Sequence, residues 1–163
     1  MTNLDFYKAS MANELKATYD IIAALPADKM DYKPHENSRT AYEIAEHIIA
    51  HACDFKVALT ESACDELFTH AFDGPVDGAD HLKKYWDNAM DILDNLDEND
   101  WNIEQVELLV HGQSFMKMPR ANLMWMFLFD VIHHRGQLST YIRPMGGKNP
   151  AVYGFSYDTL NAG

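Results

Sequence analysis

Asp130 and His134 stand four residues apart in MFLFDVIHHRGQLSTYIR (126–143), so on a helix they share one face, one turn apart. Met126, Phe127, Leu128, Phe129, Val131 and Ile132 surround Asp130 with apolar side chains. That pattern predicts a carboxylate in dry surroundings, which is costly unless the group is paired or bound to a cation. Gln137 and Tyr141 continue the same face. A second segment, TAYEIAEHIIAH (40–51), places His47 and His51 at the same four-residue interval. Facing helices of a bundle bring such residues together in the core. A set of His47, Asp130 and His134 offers two imidazoles and one carboxylate. It leaves coordination positions open, as catalytic metal sites do. His51 and His133 are alternative ligands.

Plainer readings compete for the same residues. Asp130 can pair with Arg135 or with a tyrosine hydroxyl. His51 can be an ordinary core histidine, and His133, about 100° round the helix from His134, a packed or capping one. His35, His70, His81 and His111 fall in loops or at element ends and read as solvated. The nine methionines read as core filler. DILDNLDEND (91–100) reads as a solvated acidic helix end. Neither Cys53 nor Cys64 has a nucleophile's signature around it.

Four helices must position these residues. Leu4, Tyr7, Met11, Leu15, Tyr19 and Ile22 recur every three or four residues and predict a first helix that ends near Pro26. A long polar loop, PADKMDYKPHENSRT, follows. The second helix is predicted from Ser38 or Thr40, either of which can cap it, to about Glu61. HAFDGPVDGAD breaks the periodicity with two Gly and one Pro, and a third helix is predicted from about Asp80 to Leu96. IEQVELLVHGQSFMKMP (103–119) alternates in places about Gly112 and predicts a short β-hairpin. Pro119 suits the first turn of a fourth helix that runs to Tyr141 or Ile142. The expected fold is all-α, a four-helix bundle with a β-hairpin between the third and fourth helices, in one domain over residues 1–163. The long first connection points to neighbours that are not all up-and-down.

A chain of 163 residues with 47% hydrophobic residues is long and apolar enough to bury a core. Its formal net charge of -12 argues against nucleic acid and anionic membrane as partners. No apolar run is long enough to span a bilayer. MTNLDFYKAS lacks the features of a signal peptide. Cys53 and Cys64, if on one helix, lie about 16 Å apart at 1.5 Å per residue, beyond disulfide reach. They read as reduced thiols of a cytoplasmic protein.

HHRGQLSTYIRPMGG (133–147) with NPAVYGFSYD (149–158) resembles the C-terminal signature of the DinB-like metal-binding four-helix bundles. TAYEIAEHIIAH resembles that family's second-helix histidine motif. The resemblance covers most of the chain, and HHRGQ combined with GGKNPAVYG is its more specific part. It implies a divalent metal, zinc or nickel, held by one histidine of the second helix and two residues four apart on the fourth. Those positions fall on His47, Asp130 and His134. Asp130 stands where the family most often has histidine. A carboxylate there favours harder metals, which adds iron and manganese as alternatives.

The resemblance also implies enzymes that use low-molecular-weight thiols, and homodimers. The leading expectation is a metal-dependent thiol S-transferase with a small-molecule substrate, in which Arg135, Gln137 or Tyr141 orients the substrate. The alternatives are a metal-dependent hydrolase and a non-catalytic, small-ligand-binding or stress-associated protein.

Overall fold

A computed structural model describes residues 1–161. Four long helices dominate it: α1 (Asn3–Ala23), α2 (Ala41–Thr60), α3 (Pro75–Asp94) and α5 (Arg120–Ile142). A short α4 (Glu98–Ile103) precedes a hairpin of β2 (Gln105–Val110) and β3 (Gln113–Pro119). A three-residue β1 (Ala63–Asp65) follows α2, and a one-turn α6 (Tyr157–Leu160) lies in the tail. The expected four-helix bundle with a hairpin insertion is the fold observed, with one more strand than the sequence predicts.

Capping chemistry explains where the helices begin. Thr2 and Asp5 form a reciprocal capping box on α1, and Thr40 and Glu43 form one on α2. Of the two predicted caps for α2, Thr40 is the one used. At the far end of α2, the buried Arg120 donates from Nε to the Ala58 carbonyl at 3.1 Å. A cation there suits the negative end of the helix dipole.

α1 and α2 each pack against both α3 and α5, so the two helices adjacent in sequence lie on a diagonal of the bundle. The long connection between them makes that crossing. The centre is filled by Tyr7, Met11, Ile48, Phe55, Trp86 and Phe127, among others. Two buried aromatic donors are satisfied by backbone: Tyr7 Oη donates to the Met124 carbonyl (3.0 Å) and Trp86 Nε1 to that of Met11 (3.1 Å).

Three local expectations are corrected. α3 begins at Pro75, about five residues before the predicted Asp80. The Gly-Pro pair is a start signal, with Gly74 at φ +86 as N-cap and Pro75 in the first turn. Gly78 lies inside the helix because the Phe72 ring packs where its Cβ would be, at 2.7 Å. Within the acidic run, Asp97 caps a further helix, α4, by accepting from the Asn99 N–H at 2.8 Å, and Trp101 of α4 is wholly buried. Finally, Cys64 is not on the helix of Cys53 but on β1. Both are free thiols. Burial pushes Cys53 up to about 11 and Cys64 up to about 12, which makes neither a ready nucleophile.

β1 pairs in parallel with β2, Cys64 opposite Leu108, while β2 and β3 are antiparallel with an irregularity at Leu108/Leu109. The hairpin turns on His111 and Gly112, both at positive φ (52° and 73°), as a tight two-residue turn with right-handed strand twist requires. This small sheet covers one end of the α2–α5 seam. No helix among the described residues is long and apolar enough to cross a membrane.

Candidate metal centre

Where α2 faces α5, three imidazoles converge on one oxygen. Asp130 Oδ2 lies 3.3 Å from His47 Nε2, 3.2 Å from His134 Nε2 and 2.9 Å from His51 Nε2. His47 and His51 are buried and belong to successive turns of α2. Asp130 and His134 belong to successive turns of α5. The four-residue spacing that puts each pair on one face thus delivers all four side chains to one point.

Each Nδ1 faces away from that point, toward an acceptor. His47 Nδ1 donates to the Phe68 carbonyl at 3.3 Å, and His134 Nδ1 to Gln137 Oε1 at 2.8 Å. His51 Nδ1 faces the wholly buried Asp54, whose Oδ2 is 3.6 Å away and also accepts the Leu67 N–H at 3.0 Å. A carbonyl can only accept, so His47 carries a proton on Nδ1, and its Nε2 faces Asp130 either as a donor, when a second proton is present, or as a lone pair free for a cation. Backing of this kind holds metal-ligating histidines in the ligating tautomer.

Lone pairs aimed at a carboxylate oxygen repel it unless a proton or a metal cation lies between. Protonating all the imidazoles would crowd cations whose rings are already close, with His47 centred 4.5 Å from His51 and 4.8 Å from His134. A divalent ion resolves the conflict with one charge. Ligand atoms on a tetrahedral ion with bonds of about 2.0–2.1 Å are about 3.3 Å apart, close to the observed separations. Among the described residues, two groups have ligand atoms near enough to hold an ion: His47 with Asp130 and His134, and His47 with His51 and Glu66.

The electrostatics follow from these contacts. Partial burial raises the affinity of Asp130 for a proton, but the His134, His47 and His51 rings, as donors when protonated, outweigh it and hold the carboxyl well below the usual range. Burial works against a charge on His51, yet the Asp130 and Asp54 carboxylates prevail and raise it to about 9. Asp54 is pushed upward by its burial, with His51 and the Leu67 amide opposing.

The sequence predicts a dry interior for Asp130, and the structure corrects this. Its side chain is 38% exposed, because α5 turns Phe129 and part of Trp125 outward and leaves the carboxylate at the edge of a cleft. The cleft has a volume of about 600 Å³. Phe68, Leu108, Phe115, Met126, Phe127 and Phe129 form its apolar walls, and Arg39 and His133 stand among its polar lining.

Of the other residues singled out from sequence, Gln137 reaches the centre through His134 and also contacts the exposed His133 at 3.1 Å. Arg135 does not reach it. Five residues past Asp130, it points to the opposite side of α5 and binds Glu14, Thr18 and Tyr153. Pairing of Asp130 with Arg135 is therefore not how the carboxylate is satisfied. Tyr141 is buried beside the cleft. Its hydroxyl donates to the Arg39 carbonyl at 3.2 Å, and its ring packs edge-on against Tyr32. His111 stacks on Phe68 near the mouth, with ring centres 4.9 Å apart.

Glu66, Asp54 and Arg39 were not singled out. Asp54 carried a signal, since it lies three residues after His51 on the same helix. Glu66 carried none, because a strand pairing brings it in.

Comparison with known proteins bears on the fold and the family. The chain is 26% identical over 129 residues to the uncharacterized protein YjoA of Bacillus subtilis (strain 168), covering 79% of this chain and 82% of that protein. The crystal structure of a DinB-like protein, YjoA of the same organism, superposes with a TM-score of 0.69 at 20% identity. That match covers 92% of this chain and 99% of the other, and it supports the fold. The sequence model of the DinB family matches residues 1–161, so this chain belongs to the DinB family.

Proposed function

We propose that this chain is a divalent-metal enzyme that transfers a low-molecular-weight thiol to a small electrophile. The observation that carries the reading is the convergence of imidazole Nε2 atoms on Asp130 Oδ2, each Nδ1 turned to an acceptor behind it. His47, Asp130 and His134 would hold the ion, zinc or nickel in the first place, with iron or manganese favoured by the carboxylate. A bound divalent cation stabilises thiolate over thiol and so supplies a nucleophile at neutral pH.

The chain's own residues do the rest. The Phe68 carbonyl and Gln137 fix the tautomers of His47 and His134. The phenylalanine and methionine walls suit an apolar electrophile and limit water near the sulfur. His51 holds a proton at Nε2 against Asp130 when no ion is bound, and it gives that proton up when one binds. Pairing with a second copy of the chain is proposed on the resemblance alone, and sedimentation velocity measures it.

The test is elemental analysis of protein never exposed to nickel resin or chelator, for wild type and His134→Ala. About one ion per chain in the wild type and its loss in the variant are expected. Negligible metal in both removes the reading. A screen of electrophiles with and without added thiol then separates the chemistries, because turnover without thiol would indicate hydrolysis. A second reading, a non-catalytic ligand-binding protein, draws on the 2.9 Å His51–Asp130 contact, which satisfies the carboxylate with a proton alone.

A further inference from the structure

The two groups of potential ligands overlap at His47, and the overlap is informative. Nδ1 of His47 is committed to the Phe68 carbonyl, so only the lone pair on Nε2 is free. One lone pair serves one ion. The groups therefore cannot each hold an ion at once, and an ion in either must lie on the same His47 lone pair. His51, grouped with Glu66, also touches the other group, since its Nε2 is 2.9 Å from Asp130 Oδ2 and 3.9 Å from Glu66 Oε1.

Glu66 is built into place. Its N–H donates to the Leu109 carbonyl at 2.9 Å, continuing the β1–β2 pairing, and the next N–H, of Leu67, donates to Asp54. The strand thus holds Glu66 over His51 and Asp54 behind it. The Glu66 side chain is only 17% exposed. Among the described residues its carboxylate accepts no hydrogen bond, and its one charged neighbour is His51. A carboxylate so placed, with no protein donor, keeps acceptor capacity for a cation. Behind His51, the buried Nδ1 and Asp54 Oδ1 have no hydrogen-bond partner, and Nδ1 lies 3.6 Å from Asp54 Oδ2. A small rotation of the ring would make the carboxylate–histidine pair that backs a metal ligand.

We propose that His51 and Glu66 are metal ligands here, so that one divalent ion draws on three imidazoles (His47, His51, His134) and two carboxylates (Asp130, Glu66), with Asp54 orienting His51. This deepens the metal-centre reading and rests on it. Five donors, two of them anionic, neutralise a divalent ion and raise its coordination number above the four of tetrahedral zinc. Such a set selects borderline-to-hard ions such as manganese, iron and cobalt. One coordination position remains for a substrate atom on an octahedral ion.

The test uses Co²⁺ and Mn²⁺ as probes on wild type, Glu66→Gln, His51→Gln, Asp54→Asn and His134→Ala, with affinities from chelator competition and visible spectra of the Co²⁺ forms. One Co²⁺ per chain is expected, with the weak absorption of a five- or six-coordinate ion. Glu66→Gln should bind Co²⁺ at least about tenfold more weakly and shift its spectrum toward the intense bands of four-coordination. His51→Gln should weaken binding similarly, and Asp54→Asn by about 10- to 100-fold. Circular dichroism verifies folding. If His51→Gln does not fold, Glu66→Gln decides the matter, since that side chain fills no core position. Unchanged affinity and spectrum in Glu66→Gln, or two ions per chain, would overturn the proposal. If only His134→Ala loses metal, the three-residue centre stands and the enlarged one falls. No binding by the wild type removes both.

Discussion

His51 shows how one side chain can belong to two readings of the same site. In the metal-free protein it is an imidazolium between Asp130 and Asp54, raised to about 9 from an unfolded value near 6.5. The sign follows from linkage: a group whose folded value is raised adds stability that is full below about pH 6.5 and fades as pH climbs through about 9. Chelator-treated protein is therefore expected to lose thermal stability between those values, and Asp130→Asn should lose much of that dependence. Denaturant midpoints measured across this window check it, and a flat profile for metal-free wild type would contradict the assignment. His47, Asp130 and His134 were legible in the sequence because i, i+4 spacing on a helix is a direct statement about one face. Asp130 was misjudged in one respect, since apolar neighbours in sequence did not tell which of them α5 turns to solvent.

Among the elements, the long helices were legible and the short ones were not. Periodicity over twenty residues survives noise, whereas the three residues of β1 contain no repeat, and what defines them is pairing with β2, more than forty positions later. The Gly-Pro cluster before α3 was read as a break because those residues usually interrupt helices. Here they begin one, and the reason, the Phe72 ring over Gly78, lies in tertiary structure. That ring is held by stacking on Tyr42 with centres 4.5 Å apart. In an open helix Gly→Ala would gain roughly 0.5–1 kcal/mol. At Gly78 the overlap with Phe72 should outweigh that gain and leave a net loss of about 1 kcal/mol. Thermal unfolding of Gly78→Ala should show a Tm about 2–4 °C lower, and a rise would mean the ring yields freely.

At the scale of the whole molecule, the diagonal placement of α1 and α2 leaves the α2–α5 seam free to carry the ligands while α1 and α3 close the far side of the core. Metal binding should therefore stabilise the entire bundle, because its ligands come from both helices of that seam. At a free concentration a hundred times Kd, the gain is about 2.7 kcal/mol, or roughly 5–10 °C in Tm for a chain of this size. Differential scanning fluorimetry with graded Mn²⁺ or Zn²⁺ measures it, and Asp130→Ala should abolish the rise.

His134 and its neighbour Arg135 look in opposite directions from α5, one into the ligand cluster and the other into a clasp with Glu14, Thr18 and Tyr153. Tyr153 in turn donates to Glu14, which ties the C-terminal segment to α1. The clasp adds a polar restraint on the roll of α5 to that of its buried apolar face. A ten-degree roll would carry an imidazole tip about 1 Å, twice the tolerance of a working constellation. Remote as it lies from the cleft, the tail thus has a hold on the helix that carries two of the candidate ligands.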